Sequence, residues 1–328
     1  MIITRTPLRI PLGGGGTDIP SYYSQFGGFL ISAAINKYVY VIINPRFENS
    51  IRLSYSRTET VDNFEEIQHP IVRECMRLVG LEKGVEIVSI ADLPASTGLG
   101  SSSSFTVGLL RALHAYQGEE VSPKTLAEEA YVIEVEILQE PIGKQDQYIS
   151  SFGGVVSMEI EKNGLVTLKP LPLIESSVSK MEQQLLLFYT GVQRSASEVL
   201  AEQNQSMSQD VDSVLNAMHQ IKEIGYRSAG ALASSDLLLF GELLNEHWNA
   251  KKNLSTGVTN SQIDSWYELA MQNGALGGKI MGAGGGGFFM FCCPNEGQAR
   301  LRKVLTDEGL QEMDYSVEPE GSKILLGN

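Results

Sequence analysis

Three clusters of glycine constrain the fold of this chain more than any other feature. Glycine accounts for 33 of the 328 residues, and it is concentrated at residues 13–16, in PASTGLGSSSS at 94–104 and in GAGGGG at 282–287. Glycine permits backbone conformations and close approaches that other residues resist. Each cluster is therefore predicted to be a tight loop at the end of a helix or strand, and no low-complexity linker separates them.

The segments between the clusters predict an α+β protein. Short runs rich in β-branched and aromatic residues predict strands at 2–10, 29–35, 39–44, 51–55, 85–90, 153–160, 165–168, 185–189, 279–281, 288–293 and 323–326. Apolar spacings of three and four predict one helix from about Ser101, one from Pro123 to before Pro141, and others at 195–208, 211–232, 236–253, 260–273 and 297–309. At about 150 residues per domain, the length predicts two domains, 1–175 and 176–328.

Composition excludes several functional classes. With 25 basic and 39 acidic residues the formal net charge is −14, so the chain lacks the cationic field needed to bind nucleic acid or an anionic membrane surface. It has no apolar run of membrane-spanning length and no secretory signal pattern. The three cysteines and the scattered histidines match no metal motif. We expect a cytoplasmic monomer or homodimer that acts on small molecules.

The second glycine cluster predicts an anion-binding site. Gly98 and Gly100 precede Ser101–Ser104 at the start of a predicted helix, where the first backbone N–H groups have no helical acceptor. Such a helix start binds phosphate groups, and the serine hydroxyls add donors or a metal ligand. The alternative is that these serines only cap the helix.

Standard nucleotide-binding fingerprints are absent or misplaced. Lys144 and Lys279 each follow a glycine but lack the rest of a P-loop. Gly282, Gly284 and Gly287 match G-x-G-x-x-G, yet a strand-like run follows where a dinucleotide-binding fold needs a helix. This argues against an oxidoreductase. The third cluster is either a tight connection between strands or a loop lying against a phosphate or substrate.

The three clusters in this order resemble the GHMP kinase superfamily. PLRIPLGGGGTD is similar to its N-terminal substrate motif, PASTGLGSSSS to its phosphate loop and GKIMGAGGGGFF to its C-terminal glycine motif. The resemblance implies an S5-like N-terminal domain, a ferredoxin-like C-terminal domain and an active site in the cleft between them. It also implies a sugar kinase that uses ATP and Mg²⁺. The implied nucleotide-binding residues are Pro94, Thr97, Gly98, Leu99, Gly100, Ser101, Ser102 and Ser103.

Within the superfamily, stretches such as IGKQDQY and TGVQRSASE resemble the bacterial heptose 7-phosphate kinases. This implies phosphorylation of the anomeric hydroxyl of D-glycero-D-manno-heptose 7-phosphate, giving the 1,7-bisphosphate for nucleotide-activated heptose synthesis. Two alternatives remain open: a kinase for another sugar, such as fucose, and a non-catalytic ligand sensor on the same fold.

The resemblance assigns roles that the chemistry of each side chain suits. Asp146 matches the catalytic aspartate, which can orient the acceptor hydroxyl and take its proton. Arg9 matches the basic residue that holds that aspartate ionised and stabilises phosphate charge. The alternative for this pair is an ion pair that serves only the fold. Glu134 and Ser102 match the magnesium ligands, and Glu136, two residues along the same helix, is expected to point away as ordinary surface.

The remaining predictions concern the acceptor sugar. Asp18 matches the sugar-binding aspartate, although an aspartate after glycines is also a common turn residue. The other predicted substrate residues are Gly15, Gly16, Thr17, Arg194, Ser195, Gly284 and Gly285. Arg194 with Ser195 and Ser197 is the hypothesised pocket for the phosphate that the acceptor already carries, with Lys251 as its alternative.

Overall fold

The computed structural model describes residues 1–192, 199 and 211–327 and confirms an α+β fold. The strands are β1 (Ile2–Gly13), β2 (Gly28–Pro45), β3 (Ile51–Ser54), β4 (Thr58–Val61), β5 (Val85–Ala91), β6 (Val155–Ile160), β7 (Val166–Pro170), β8 (Leu185–Tyr189), β9 (Gly277–Ile280), β10 (Phe288–Cys292), β11 (Gln311–Met313) and β12 (Lys323–Leu326). The helices are α1 (Pro20–Phe26), α2 (Pro70–Val79), α3 (Ser101–Gln117), α4 (Pro123–Tyr131), α5 (Gln145–Phe152), α6 (Glu175–Gln184), α7 (Val211–Ala233), α8 (Leu237–Lys252), α9 (Ser261–Gln272) and α10 (Asn295–Asp307).

The larger sheet is organised around β2. Its path is β12-β1-β2-β5-β3-β4, and β6 also pairs with β2 and carries β7. The first part of β2 pairs with β6 and the second part with β5, while β1 runs antiparallel along most of its length. Helix α3 packs against β1 and β2. Leu8, Ile10 and Leu12 of β1 are fully buried, so this sheet carries one wall of the core.

The predicted break between strands 29–35 and 39–44 is wrong, because β2 runs unbroken through it. Opposite this point β1 shifts register between Pro7 and Leu8, whose partners are Tyr38 and Ile35. A β-bulge absorbs extra residues in this way without ending the strand. Asn36 and Lys37, which lie between the two predicted strands, are therefore part of a bulge.

The second sheet has the order β11-β8-β10-β9 and is antiparallel throughout. Phe289 and Phe291 of β10 are fully buried, and α8 packs against β9 and β10. The final strand, β12, leaves this half of the chain and pairs with β1 in the larger sheet. The predicted boundary near residue 175 coincides with the first residue of α6 and stays a prediction.

Most predicted elements are present, with bounds shifted by a few residues. The predicted helix from Pro123 is α4 followed by one π-helical stretch, Val132–Ile137. Apart from Val199, the predicted helix at 195–208 lies outside the described residues. Helices α1, α2, α5 and α6 were not predicted. Within the part of the chain that the structure describes, no helix is both long and apolar enough to cross a bilayer.

Candidate active site

The three glycine clusters border a cavity of about 750 Å³. Twelve of the residues predicted to act at the site line it: Arg9, Gly15, Gly16, Asp18, Thr97, Gly98, Gly100, Ser101, Ser102, Ser103, Glu134 and Asp146. They come from β1, the loop after it, the loop before α3, the π-helical stretch and α5. The volume lies within the roughly 300–1,000 Å³ typical of small-molecule sites.

The loop before α3 has the backbone of a phosphate cradle. Gly98 and Gly100 have positive φ values of 81° and 79°, which side-chain-bearing residues rarely adopt. Gly100 is the N-cap of α3, and no side chain caps the helix through a hydrogen bond. Capping therefore does not explain the serine run, and the first-turn amides remain available for an anion.

Arg9 and Asp146 form a two-pronged ion pair beside this loop. The Arg9 Nε donates to Oδ1 of Asp146 at 2.6 Å and Nη2 donates to Oδ2 at 2.7 Å, while Nη1 donates to the Gly98 carbonyl at 2.6 Å. A Cβ on Gly100 would lie 3.2 Å from Oδ2 of Asp146, so glycine lets the loop pass close to the pair. The side chain of Asp146 is 22% exposed against 7% for Arg9. The carboxylate therefore faces the cavity while its position is fixed from behind.

Glu134 belongs to the π-helical stretch and is buried against the first turns of α3. Its Oε1 accepts hydrogen bonds from Thr106 Oγ1 at 2.9 Å and Ser102 Oγ at 3.3 Å, and its Oε2 accepts one from Gln147 Nε2 at 2.7 Å. Burial raises the pKa of this carboxyl to about 7, against the opposing effect of the hydrogen bond from Gln147. Glu136 is exposed, as expected for the neighbour on the opposite side of the helix.

Asp18 lines the cavity between the first glycine cluster and the start of α5. Its Oδ1 accepts from the Gly16 backbone N–H at 3.0 Å and its Oδ2 accepts from the Gln145 N–H at 2.9 Å. Burial raises the pKa of this carboxyl. A Cβ at Gly143 would come within 2.1 Å of Oδ2 of Asp18. Asp18 thus joins the first glycine cluster to the turn that carries Asp146.

Several predicted site residues lie beside the cavity without lining it. Thr17 is buried, and its Oγ1 lies 2.8 Å from the carbonyl oxygens of both Gly14 and Phe29, so it anchors the first cluster. Leu99 is fully buried, and its carbonyl accepts from the Arg9 N–H. The Pro94 carbonyl accepts from Thr97 Oγ1 at 3.3 Å. Arg194 and Ser195, with Ser197, lie outside the described residues.

The third glycine cluster connects β9 to β10, so a strand follows it. A Cβ at Gly282 would lie 2.7 Å from the Gly98 Cα, and one at Gly287 would lie 2.4 Å from the Thr97 carbonyl oxygen. The loop therefore supports the phosphate cradle from behind. Gly284 and Gly285 pack against Val258 instead, with the Gly285 N–H donating to its carbonyl. Only Gly282 and Ala283 of this cluster line the cavity.

Sequence reasoning missed two parts of the cavity wall. One is an apolar and aromatic end formed by Val39, Tyr55, His69, Ile71, Leu93 and Phe105, in which His69 lies against both Tyr55 and Phe105. The other is a basic group in which His247 and Lys279 join Lys251, the residue that the sequence predicted as the alternative phosphate contact. His247 and Lys251 are four residues apart on a predicted helix, a spacing that places them on one face. Nothing in the sequence brings Lys279 to them.

The residues present suit a magnesium nucleotide. Within the described ranges there is no group of three or more His, Cys, Asp and Glu side chains able to hold a metal. Mg²⁺ does not require one, because it keeps waters and takes one or two protein ligands beside phosphate oxygens. A buried carboxylate at Glu134 beside the hydroxyl of Ser102, at the edge of an amide cradle, meets that requirement.

Two family models match the chain. The GHMP kinases N terminal domain matches residues 67–154, and the GHMP kinases C terminal model matches residues 228–306. A D-glycero-alpha-D-manno-heptose 7-phosphate kinase from Campylobacter jejuni is 32% identical, over 98% of each chain. An L-fucokinase/L-fucose-1-P guanylyltransferase from Bacteroides fragilis is 28% identical over 92% of this chain, which spans 36% of that protein's length.

A solved structure agrees with the sequence matches. The crystal structure of a D-glycero-D-manno-heptose 1-phosphate kinase from Bacteroides thetaiotaomicron superposes with a TM-score of 0.83 at 25% identity, covering both chains completely. The matches extend over both sheets and all three glycine clusters. The chain therefore belongs to the GHMP kinase family and is an enzyme, a kinase.

Proposed function

We propose that this kinase transfers the γ-phosphate of ATP to the anomeric hydroxyl of D-glycero-D-manno-heptose 7-phosphate, giving the 1,7-bisphosphate. The observation that carries the proposal is the Arg9–Asp146 pair, which sits between the phosphate cradle and Asp18 in a single cavity. The heptose phosphate kinases among the similar proteins support a phosphorylated sugar as acceptor. The division into domains 1–175 and 176–328 is part of the proposal, and the two family matches fall on either side of it.

In the proposed complex, each end of the nucleotide meets a suitable surface. The triphosphate lies on the amides and hydroxyls of residues 98–103, with their helix start supplying a partial positive charge. The apolar end of the cavity, lined by Tyr55, His69 and Phe105, suits a flat heteroaromatic base. Glu134 and Ser102 would hold Mg²⁺, and the ion would supply positive charge to the phosphate oxygens.

Asp146 performs the proton chemistry in this proposal. Its carboxylate orients the acceptor hydroxyl and accepts its proton as the oxygen bonds to the terminal phosphorus, while the bond from that phosphorus to the bridging oxygen breaks and ADP leaves. Arg9 fixes the carboxylate through both of its oxygens, so little reorganisation is needed in the transition state. Asp18, whose carboxylate is held by the backbone N–H of Gln145 next to Asp146, accepts hydrogen bonds from sugar hydroxyls. Arg194 and Ser195 remain proposed contacts of the sugar phosphate.

An ADP-release assay across a panel of acceptors tests the proposal. The panel pairs heptose 7-phosphate with free heptose, fucose, galactose and mannose 6-phosphate, and ³¹P and ¹H NMR of the product locates the new phosphate. We expect the highest kcat/KM with heptose 7-phosphate and a new phosphate on C1. A preference for a neutral sugar would favour the fucokinase-like alternative, for which the Bacteroides fragilis relative is the supporting observation. No ADP with any sugar would indicate a sensor.

A further inference from the structure

Three nitrogen-bearing side chains in the cavity wall have no part in the proton transfer and magnesium binding proposed above. The sequence predicted one of them, Lys251, as the alternative contact of the acceptor phosphate. His247 and Lys251 lie on one face of the last turns of α8, and Lys279 lies on β9. All three line the cavity, yet their exposed fractions are only 2%, 8% and 2%. We refer to them as the basic cluster.

The hydrogen bonds of the basic cluster leave donors unused. Lys251 Nζ donates to the carbonyls of Ile280 at 3.0 Å and Gly282 at 2.6 Å, and Lys279 Nζ lies 3.3 Å from His247 Nδ1. An ammonium group has three donors. Among the residues that the structure describes, Lys251 as an ammonium group therefore has one N–H without an acceptor, and Lys279 has two.

No carboxylate neutralises these lysines among the residues that the structure describes. Neither lysine takes part in the ion pairs found there, and the nearby cation Arg9 is already occupied by Asp146. Burying an unpaired cation is strongly unfavourable. Such an arrangement is expected where an anionic ligand supplies the missing charge.

The electrostatics agree with the geometry. Burial, and to a lesser extent the positive charge of Arg9, lower the pKa of Lys251 to about 7. Burial, then Lys251 and Arg9, lower the pKa of Lys279 well below its usual value. Burial and the two lysines likewise lower the pKa of His247. Burial and neighbouring positive charge thus disfavour the protonated form of each group, and a bound anion would favour it.

The position of the cluster relates the anion to the reaction. Lys251 holds the carbonyl of Gly282, the residue whose α-carbon packs against Gly98 of the phosphate cradle. The cluster therefore adjoins the cradle, within electrostatic reach of Arg9. Both reactants of the proposed function carry phosphate, and a phosphate dianion has three oxygens that several donors can share.

We propose that Lys251, Lys279 and His247 form a second phosphate-binding pocket in the cleft, separate from the amides of residues 98–103. This rests on the proposed function in that a reactant supplies the phosphate. Two sources have this chemistry: the phosphate already on the acceptor, and the terminal phosphate of the nucleotide. The basic cluster is thereby assigned a ligand class that the proposed roles of Arg9, Asp18 and Asp146 do not cover.

Lys251→Met and Lys279→Met test the pocket, since methionine keeps most of the side-chain volume and removes the charge. Lys222→Met is the matched control, because Lys222 Nζ also donates to two backbone carbonyls, those of Phe26 and Gly27, but does not line the cavity. Isothermal titration measures binding of heptose 7-phosphate, free heptose, Mg²⁺–AMP-PNP and Mg²⁺–ADP. Thermal melts with and without inorganic phosphate accompany each titration.

Loss of one charge-assisted hydrogen bond should weaken the phosphate-bearing ligand by roughly 10- to 100-fold. If the acceptor is the source, heptose 7-phosphate weakens while free heptose and AMP-PNP do not. If the nucleotide is the source, AMP-PNP weakens and ADP does not. The Lys222→Met control should bind every ligand as the wild type does.

Unchanged affinity for all four ligands in folded Lys251→Met and Lys279→Met proteins would overturn the pocket. A purely structural role predicts a lower melting temperature without phosphate and no loss of affinity in either variant, whereas a ligand site predicts a selective loss of affinity whatever the melting temperature. If the wild-type enzyme does not bind heptose 7-phosphate, the proposed acceptor is wrong. The AMP-PNP titration and the thermal stabilisation by inorganic phosphate then test whether the pocket binds phosphate, whichever sugar the enzyme uses.

Discussion

The guanidinium of Arg9 donates hydrogen bonds to both carboxylate oxygens of Asp146, at 2.6 and 2.7 Å, although the two residues are 137 positions apart in the chain. Its remaining terminal nitrogen donates to the Gly98 carbonyl. One side chain thus sets the position of the proposed base relative to the phosphate cradle. A pair serving only the fold would not need an exposed carboxylate edge in the cavity.

Asp146→Asn should lower kcat by roughly 10²- to 10⁴-fold, the usual range for loss of a general base. The amide keeps the size of the carboxylate but cannot take the acceptor proton. Steady-state kinetics with saturating ATP measure the change, and the KM for ATP should stay within about threefold because Asp146 does not form the cradle. A variant with wild-type kcat and impaired ATP binding would contradict the assigned role.

Glu134→Gln should raise the Mg²⁺ concentration needed for half-maximal activity by at least about tenfold, because the amide is a poorer ligand for a hard cation. Glu136→Gln is the matched control, since Glu136 is exposed two residues away. Initial rates over a magnesium titration at fixed ATP measure both. Equal magnesium dependence in the two variants would show that Glu134 is not a metal ligand.

Gly143→Ala should weaken acceptor binding although Asp18 itself is not substituted. The new Cβ would fall 2.1 Å from Oδ2 of Asp18, so the carboxylate must move. We expect the acceptor KM to rise by about tenfold, equivalent to about 1.4 kcal/mol, and the ATP KM to stay unchanged.

Gly230→Ala provides the comparison for this variant. Gly230 lies in α7 with no atom within 4 Å of an added Cβ, so alanine should stabilise the helix by up to about 1 kcal/mol. Wild-type acceptor kinetics in Gly143→Ala would show that Asp18 does not position the sugar.

The stability of the ligand-free enzyme relative to Lys251→Met should rise with pH. Arg9 from β1, Lys279 from β9 and His247 from the same helix all face Lys251, and its pKa is about 7 when folded against 10.5 as the reference. Between these values the unfolded chain binds the proton that the folded protein releases, so folding becomes more favourable as pH increases. Below pH 7 both states are protonated, and the full penalty of burial applies.

Urea unfolding of wild type and Lys251→Met between pH 6.5 and 9.5 measures this effect. The unfolding free energy of the wild type relative to that of the variant should rise by at most about 1.4 kcal/mol per pH unit above pH 7. A difference in unfolding free energy that stays constant over this range would show that Lys251 does not titrate there.

Local patterns predicted the parts of the fold that short-range physics controls. The helix after Ser101 and the strand after Gly287 are where spacing and turn chemistry placed them. The predicted break between strands 29–35 and 39–44 was wrong because a bulge accommodates Asn36 and Lys37 within β2, and a bulge depends on the partner strand. Short helices such as α1 and α5 carry too little periodicity to be seen, and their packing against the sheets decides them.

The candidate site divides in the same way. The amino-acid order alone predicted the phosphate cradle, because a helix start is a property of neighbouring residues. Helical spacing showed that only one of Glu134 and Glu136 can face the cavity, and the family resemblance selected Glu134. The basic cluster arose only when β9 packed against α8 and brought Lys279 to His247, 32 positions away. Burial then shifted the pKa values of both residues, and burial belongs to the folded chain as a whole.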